Sequence, residues 1–173
     1  MMKATNLKVE YLTNPIGIDV VRPRFSWTFE KGTKQTAYQI VAKDDLGNLL
    51  WDSGKVASEQ MHLVAWGADD LKSRTHVTWC VTVWDEKDEA ETSEDAWFEI
   101  GLLQKKDWTA KWITGDYVPK KKERYPVDCF KKTFAIASDK KVKKARAYMS
   151  ACGVYEGRIR SEEHTSELQS HVM

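Results

Sequence analysis

Residues 76–84 read His76-Val77-Thr78-Trp79-Cys80-Val81-Thr82-Val83-Trp84. Val77, Trp79, Val81 and Val83 share one phase of a two-residue period; His76, Thr78, Cys80 and Thr82 share the other. Successive side chains of a strand point to opposite faces, so this is a strand with one face in a core and one toward water. The pattern recurs upstream. Phe25, Trp27 and Phe29 alternate with Arg24, Ser26 and Thr28, and Tyr38, Ile40 and Ala42 alternate with Gln39, Val41 and Lys43. Turn chemistry separates the runs: Asn14-Pro15, Lys31-Gly32, Leu46-Gly47-Asn48, Ser53-Gly54 and the polar stretch 85–91.

Strands are therefore expected near 7–11, 24–30, 36–43, 49–52, 61–66, 76–84 and 95–100. Seven strands at this spacing, with no sustained 3.6-residue period, predict an all-β, immunoglobulin or fibronectin III-like sandwich over residues 5–103. Its core should hold Phe25, Trp27, Tyr38, Ile40, Trp79, Val81 and Val83. Gly101-Leu102-Leu103 then leads into Lys105-Lys106-Asp107-Trp108, a polar connection that reads as a domain boundary. Strand-like runs at 111–114, 129–137 and 145–159 predict the beginning of a second β-sandwich over 107–159. It reads as truncated, because three strands supply no partner sheet. The stretch 160–173, RSEEHTSELQSHVM, has no aromatic residue and breaks the alternation.

Composition narrows the function classes. The chain has 173 residues, 42% of them hydrophobic and eight of them Trp, which is ample for a core and excludes wholesale disorder. No apolar run approaches the ~18 residues of a membrane span. The N-terminus shows no apolar secretory segment, so a cytoplasmic protein without membrane partners is expected. Three Cys (Cys80, Cys129 and Cys152) at wide spacing suggest neither a disulfide framework nor a zinc site. Four His without an HExxH or CxxC companion offer no metal motif, and no cofactor is implied. Charge is uneven: residues 1–104 hold 11 basic and 17 acidic side chains, whereas residues 120–144 hold 10 basic and 3 acidic. The basic stretch lies beside Pro119 and Pro126 and at the ends of strand-like runs, with no nucleic-acid-binding motif. Solvated loops are the reading, not nucleic-acid contact.

Nine blocks carry a family resemblance. They are Val9-Glu10-Tyr11-Leu12, Asn14-Pro15-Ile16-Gly17-Ile18-Asp19, Pro23-Arg24-Phe25-Ser26-Trp27, Ala37-Tyr38-Gln39-Ile40 and Trp51-Asp52-Ser53-Gly54-Lys55-Val56. Then follow Thr78-Trp79-Cys80-Val81-Thr82-Val83-Trp84-Asp85, Trp97-Phe98-Glu99-Ile100-Gly101-Leu102-Leu103, Trp108-Thr109-Ala110-Lys111-Trp112-Ile113 and Ala151-Cys152-Gly153-Val154-Tyr155-Glu156. In this order they resemble the N-terminal, non-catalytic region of bacterial α-L-rhamnosidases. The resemblance implies a multidomain glycoside hydrolase that removes terminal α-L-rhamnose with inversion, its acidic residues lying in an (α/α)6 barrel that follows the N-terminal β-domains. Inversion needs two carboxyls ~6.5–9.5 Å apart, one protonated and one ionised. After Glu156 the family pattern is departed from, and no barrel sequence follows. The tail from Arg160 resembles a translated sequencing-library adapter and is set apart from fold reasoning. The expected partners are the remaining domains of a rhamnosidase chain and rhamnose-containing glycans. A free-standing carbohydrate-binding module and a fibronectin-type adhesion domain are the alternatives.

No residue is assigned a catalytic, cofactor-binding or metal-binding role. Asp85, Glu86, Asp88, Glu89 and Glu91 form a carboxylate cluster, but without calcium-loop spacing they read as a solvated hairpin tip. Trp27 and Trp79 read as core. Trp51, Trp66, Trp84 and Trp97 lie near strand ends, where core edge, inter-domain contact and sugar platform all remain open. Trp108 and Trp112 are expected to pack between domains. Cys80 alternates outward with no base placed beside it, so it is no nucleophile.

Overall fold

The computed structural model describes residues 2–118, 120, 124–136, 139, 141–142, 144–159 and 162–163. The chain divides into two units, Met1–Ile113 and Thr114–Met173.

The first unit is an all-β sandwich. One sheet has the order β1 (Lys3–Val9), β3 (Arg24–Glu30), β6 (Val64–Ala65). The other has the order β2 (Ile16–Ile18), β9 (Ala96–Ile100), β7 (His76–Trp84), β4 (Ala37–Lys43), β5 (Leu49–Asp52), and β8 (Ala90–Thr92) also pairs with β7. The two apolar faces close on each other. Phe25 meets Trp79 edge-on at 4.6 Å between ring centroids, joining the sheets at their centre. All seven expected core residues are buried, none more than 7% exposed.

β7 organises the larger sheet. Along one side it pairs with β4 over the whole length of β4, from Trp84 opposite Ala37 to Thr78 opposite Lys43. Its other side is shared: Trp79 and the residues before it pair with β9, and Thr82 to Trp84 pair with β8. Buried Ser93 stitches the break between those partners. Its hydroxyl accepts from the Val81 amide (3.0 Å) and donates to the Glu94 carbonyl (2.8 Å).

The structure departs from the expected strand at 7–11. β1 begins earlier, at Lys3, and a register shift between Thr5 and Lys8 surrounds Asn6, whose φ is +51°. The chain then reverses at Glu10 and Tyr11, both with positive φ (48° and 67°). Val9 and Leu12 exchange two backbone hydrogen bonds of 2.9 Å across them. Two left-handed residues in sequence are what a type I′ turn demands, usually met by Asn-Gly. Here Arg24 holds the turn: its guanidinium grips both Glu10 carboxylate oxygens (3.1 and 2.6 Å), and its backbone amide donates to one of them (2.7 Å).

Those bonds from Arg24 hold the Glu10 carboxyl below its ordinary range. A depressed carboxyl pKa stabilises the fold above the unfolded value of about 4.3, and that contribution disappears as pH falls through the folded value. Glu10→Gln should therefore lower the melting temperature at about pH 7 and leave it unchanged at about pH 2. Equal loss at both would show that the pair does not act through charge.

The second unit has little regular structure among its described residues. Only β10 (Arg158–Ile159) and β11 (Glu162–Glu163) pair, antiparallel. The run expected at 129–137 forms no ladder among the described residues, nor does the run at 111–114, and of the run expected at 145–159 only Arg158 and Ile159 pair. Alternation reports a side-chain preference, but a strand also needs a neighbour in register. Phe130 and Phe134 stay 55% and 72% exposed. Gly115, Tyr117, Tyr125 and Asp128 form a local cluster instead. The Tyr117 and Tyr125 rings stack at 4.6 Å, and Asp128 accepts from the Tyr117 hydroxyl (3.1 Å) and the Gly115 amide (3.2 Å). Of the tail from Arg160, all but Glu162 and Glu163 lie outside the described residues.

Candidate functional surface

The carboxylate cluster is turn scaffold. Asp85 accepts from the amides of Lys87 (2.8 Å) and Glu89 (3.0 Å), folding the β7–β8 hairpin around its own side chain. Asp88 pairs with Lys55 at 2.5 Å, and Glu86 accepts from the Thr33 hydroxyl at 3.1 Å. These side chains are committed to the scaffold of the hairpin and its neighbours. Among the described residues, no group of three His, Cys, Asp or Glu is placed to hold a metal ion. Burial, and secondarily Asp95, push the Cys80 thiol up, away from the nucleophilic thiolate. No described helix is long and apolar enough to cross a membrane. The described lysines of the basic stretch, Lys120, Lys131, Lys132, Lys141 and Lys144, are exposed.

The tryptophans separate by environment. Trp27, Trp66 and Trp79 are core. Trp51 is half-buried but tilts against both Phe25 (5.7 Å) and Trp66 (5.2 Å), so it closes one end of the core. Trp84 and Trp97 lie on the outward phase of the larger sheet and are half-buried there. Lys55 covers the Trp84 ring, its ammonium 4.6 Å from the centroid. The ring of His76 lies on Trp97 (5.5 Å, 20° between planes), with His76 Nδ1 2.8 Å from Asp45 Oδ1. Trp108 is half-buried and Trp112 is 73% exposed.

The Trp97–His76–Asp45 group is the aromatic and polar cluster that the linear reading misses. His76 reads there only as an outward strand position. Its partners are supplied by the β7–β9 register and by the β4–β5 turn, neither of which a one-strand pattern contains. A groove of about 290 Å³ lies between β1 and the β8–β9 break, lined by Lys3, Thr5, Asn6, Asn14, Glu94 and Asp95 among others, and spanned by the Lys3–Glu94 ion pair (3.2 Å). No aromatic ring lines it, so it lacks the flat face that sugar stacking uses.

A protein-family model described as "Rha78A-like, N-terminal immunoglobulin domain" matches residues 4–104. The chain belongs to this family. Its immunoglobulin sandwich and the residues after it also resemble longer proteins. An α-L-rhamnosidase of Streptomyces avermitilis is 39% identical over 121 residues, 65% of this chain and 12% of the relative. One from an Alteromonas species is 34% identical over 180 residues, 95% of this chain and 19% of the relative. The crystal structure of the Streptomyces avermitilis enzyme complexed with L-rhamnose superposes with a TM-score of 0.62 at 36% identity, covering 66% of this chain and 12% of that one. This Rha78A-like chain thus spans between a tenth and a fifth of the length of these curated relatives.

Proposed function

We propose that this chain is the N-terminal, non-catalytic β-sandwich region of an enzyme that removes terminal α-L-rhamnose with inversion. One observation carries the reading: the immunoglobulin-domain match over residues 4–104 coincides with rhamnosidase relatives of which this chain spans only 12% and 19%. On this reading residues 5–103 are the sandwich domain and residues 107–159 begin the next β-domain, whose runs find partner strands in the sequence of the whole enzyme. The partners are then the other domains of the same chain, and the sandwich positions them. Rhamnose-containing glycans are the ligands of the assembled enzyme.

The purified 173-residue chain should not hydrolyse an aryl α-L-rhamnoside. A leaving group must be protonated by one carboxyl while a second activates water, and on this reading that pair belongs to the catalytic domain of the whole enzyme. Titration calorimetry with L-rhamnose should show no binding heat. Turnover would overturn the non-catalytic role, whereas saturable heat without turnover would favour a carbohydrate-binding module.

A further inference from the structure

The polar run Gln104-Lys105-Lys106-Asp107 has the composition of a linker, yet Asp107 is bonded to Ser73 and Arg74 of the sandwich and the run folds back on itself. We propose that residues 101–108 form a rigid strut, so that the first pivot of the chain lies beyond Trp108.

The bonding begins at Gly101, whose amide donates to the Ile18 carbonyl (2.8 Å) while its own carbonyl accepts from the Arg74 amide (3.1 Å). A side chain at Gly101 would lie 2.9 Å from the Gly17 carbonyl oxygen, so the exit of β9 is pressed against β2. The Leu103 side chain packs on the core, and its amide donates to the Ser73 hydroxyl (2.9 Å). That hydroxyl donates in turn to the Asp107 carboxylate, which also accepts from the Gln104 amide (3.1 Å). The Arg74 guanidinium donates to the Asp107 carbonyl (3.0 Å). A 3-10 turn, Lys105–Asp107, closes the segment, with the amides of Asp107 and Trp108 donating to the carbonyls of Gln104 (2.9 Å) and Lys105 (3.2 Å).

Five backbone amides in eight residues are thereby satisfied by protein groups. A solvated flexible linker leaves such amides to water and lets its ends move independently. One hydroxyl, Ser73, joins the 72–75 loop to Leu103 before the turn and to Asp107 at its end. The consequence is mechanical: the chain moves with the sandwich as far as Trp108. This holds whether or not the whole protein is a rhamnosidase.

The test uses the full 173-residue chain, labelled with 15N. Heteronuclear NOE values reads picosecond-to-nanosecond motion and amide exchange reads local opening. In the unaltered chain, Leu103, Gln104 and Asp107 should give NOE values equal to those of β9. Ser73→Ala should accelerate exchange of the Leu103 amide about tenfold, the effect of one lost hydrogen bond, and lower the NOE across 103–108. Amides of β7 and β9 should not change, and Ser73→Thr, which keeps the hydroxyl, should restore the strut. If Ser73→Ala loosens β7 and β9 as well, Asp107→Ala at the half-exposed end gives the same local readout. Low NOE values at 103–107 in the unaltered chain, or unchanged Leu103 exchange in both variants, would overturn the strut.

Discussion

Trp79→Ala should lower the unfolding free energy of the sandwich by about 3–5 kcal/mol, as large-to-small changes at a buried Trp do. Trp79 sits on the inward phase of β7, 1% exposed, with Phe25 from the opposite sheet edge-on at 4.6 Å. Phe25 also faces Phe98 at 6.0 Å and Trp66 at 6.1 Å, so removing the indole leaves a void that several rigid rings must close together. Close-packed aromatic rings relax poorly, which places the cost toward the upper part of the range. The Trp79 indole N–H has no hydrogen-bond partner among the described residues, so the loss is one of packing alone. Trp79→Phe, which keeps a ring and removes only that N–H and some volume, should cost well under half as much. Domains are stable by only about 5–15 kcal/mol, so the Ala variant should melt many degrees lower by calorimetry. A loss below about 1 kcal/mol would show that Trp79 does not join the two sheets.

The same residue shows what a linear pattern contains. Four alternating apolar positions in 77–83 suffice to set the face of β7, and with it the inward side of β4 and β3. Ile16–Ile18 and Ala90–Thr92 are too short to show alternation. β2 exists because Ile16 and Ile18 find a parallel partner in β9, and β8 exists because Thr92 lies opposite Thr82, with their hydroxyls 2.8 Å apart. Leu7, Val9 and Tyr11 do alternate, yet the bulge at Asn6 and the turn held by Arg24, fourteen residues after Glu10, break the strand that they predict. At 129–137 Phe130, Phe134 and Ile136 share one phase, interrupted by Lys132, but no partner ladder forms among the described residues, and these three side chains stay exposed. The surface cluster depends still more on distant pairings. Trp97 and His76 become neighbours only through the β7–β9 register, and Ser73 reaches Asp107 across thirty-four residues. Local periodicity therefore carries the core, while tertiary pairing decides short strands, turns and contacts.

Gln35 is the position where a polar side chain replaces a ladder. It is 2% exposed and makes three hydrogen bonds: it accepts from the Trp27 indole N–H (2.9 Å) and donates to the carbonyls of Ser58 (3.1 Å) and Gln60 (3.2 Å). The segment between β5 and β6 contributes no strand through 57–63, so its place over the core rests on such bonds. The Trp27 amide donates to the Met61 carbonyl (2.9 Å), and the Leu63 amide donates to the Ser26 hydroxyl (3.0 Å), anchoring the same segment at two more points. Gln35→Leu keeps most of the volume and strands the indole N–H and two carbonyls. Unpaired buried polar groups cost about 1–3 kcal/mol each, and the loop can rotate its carbonyls toward water, so about 2–4 kcal/mol in total is expected. Trp27→Phe removes the stranded N–H. The double variant should therefore lose less than the two single losses combined, by about 1 kcal/mol in a double-mutant cycle. Exchange supplies the second measurement. In Gln35→Leu the Trp27 and Leu63 amides should open faster while the β4–β7 ladder keeps its protection, because the loop is released before the sheets part. Additive losses in the cycle, or equal acceleration of the loop and ladder amides, would mean that Gln35 fills space and does not hold the loop.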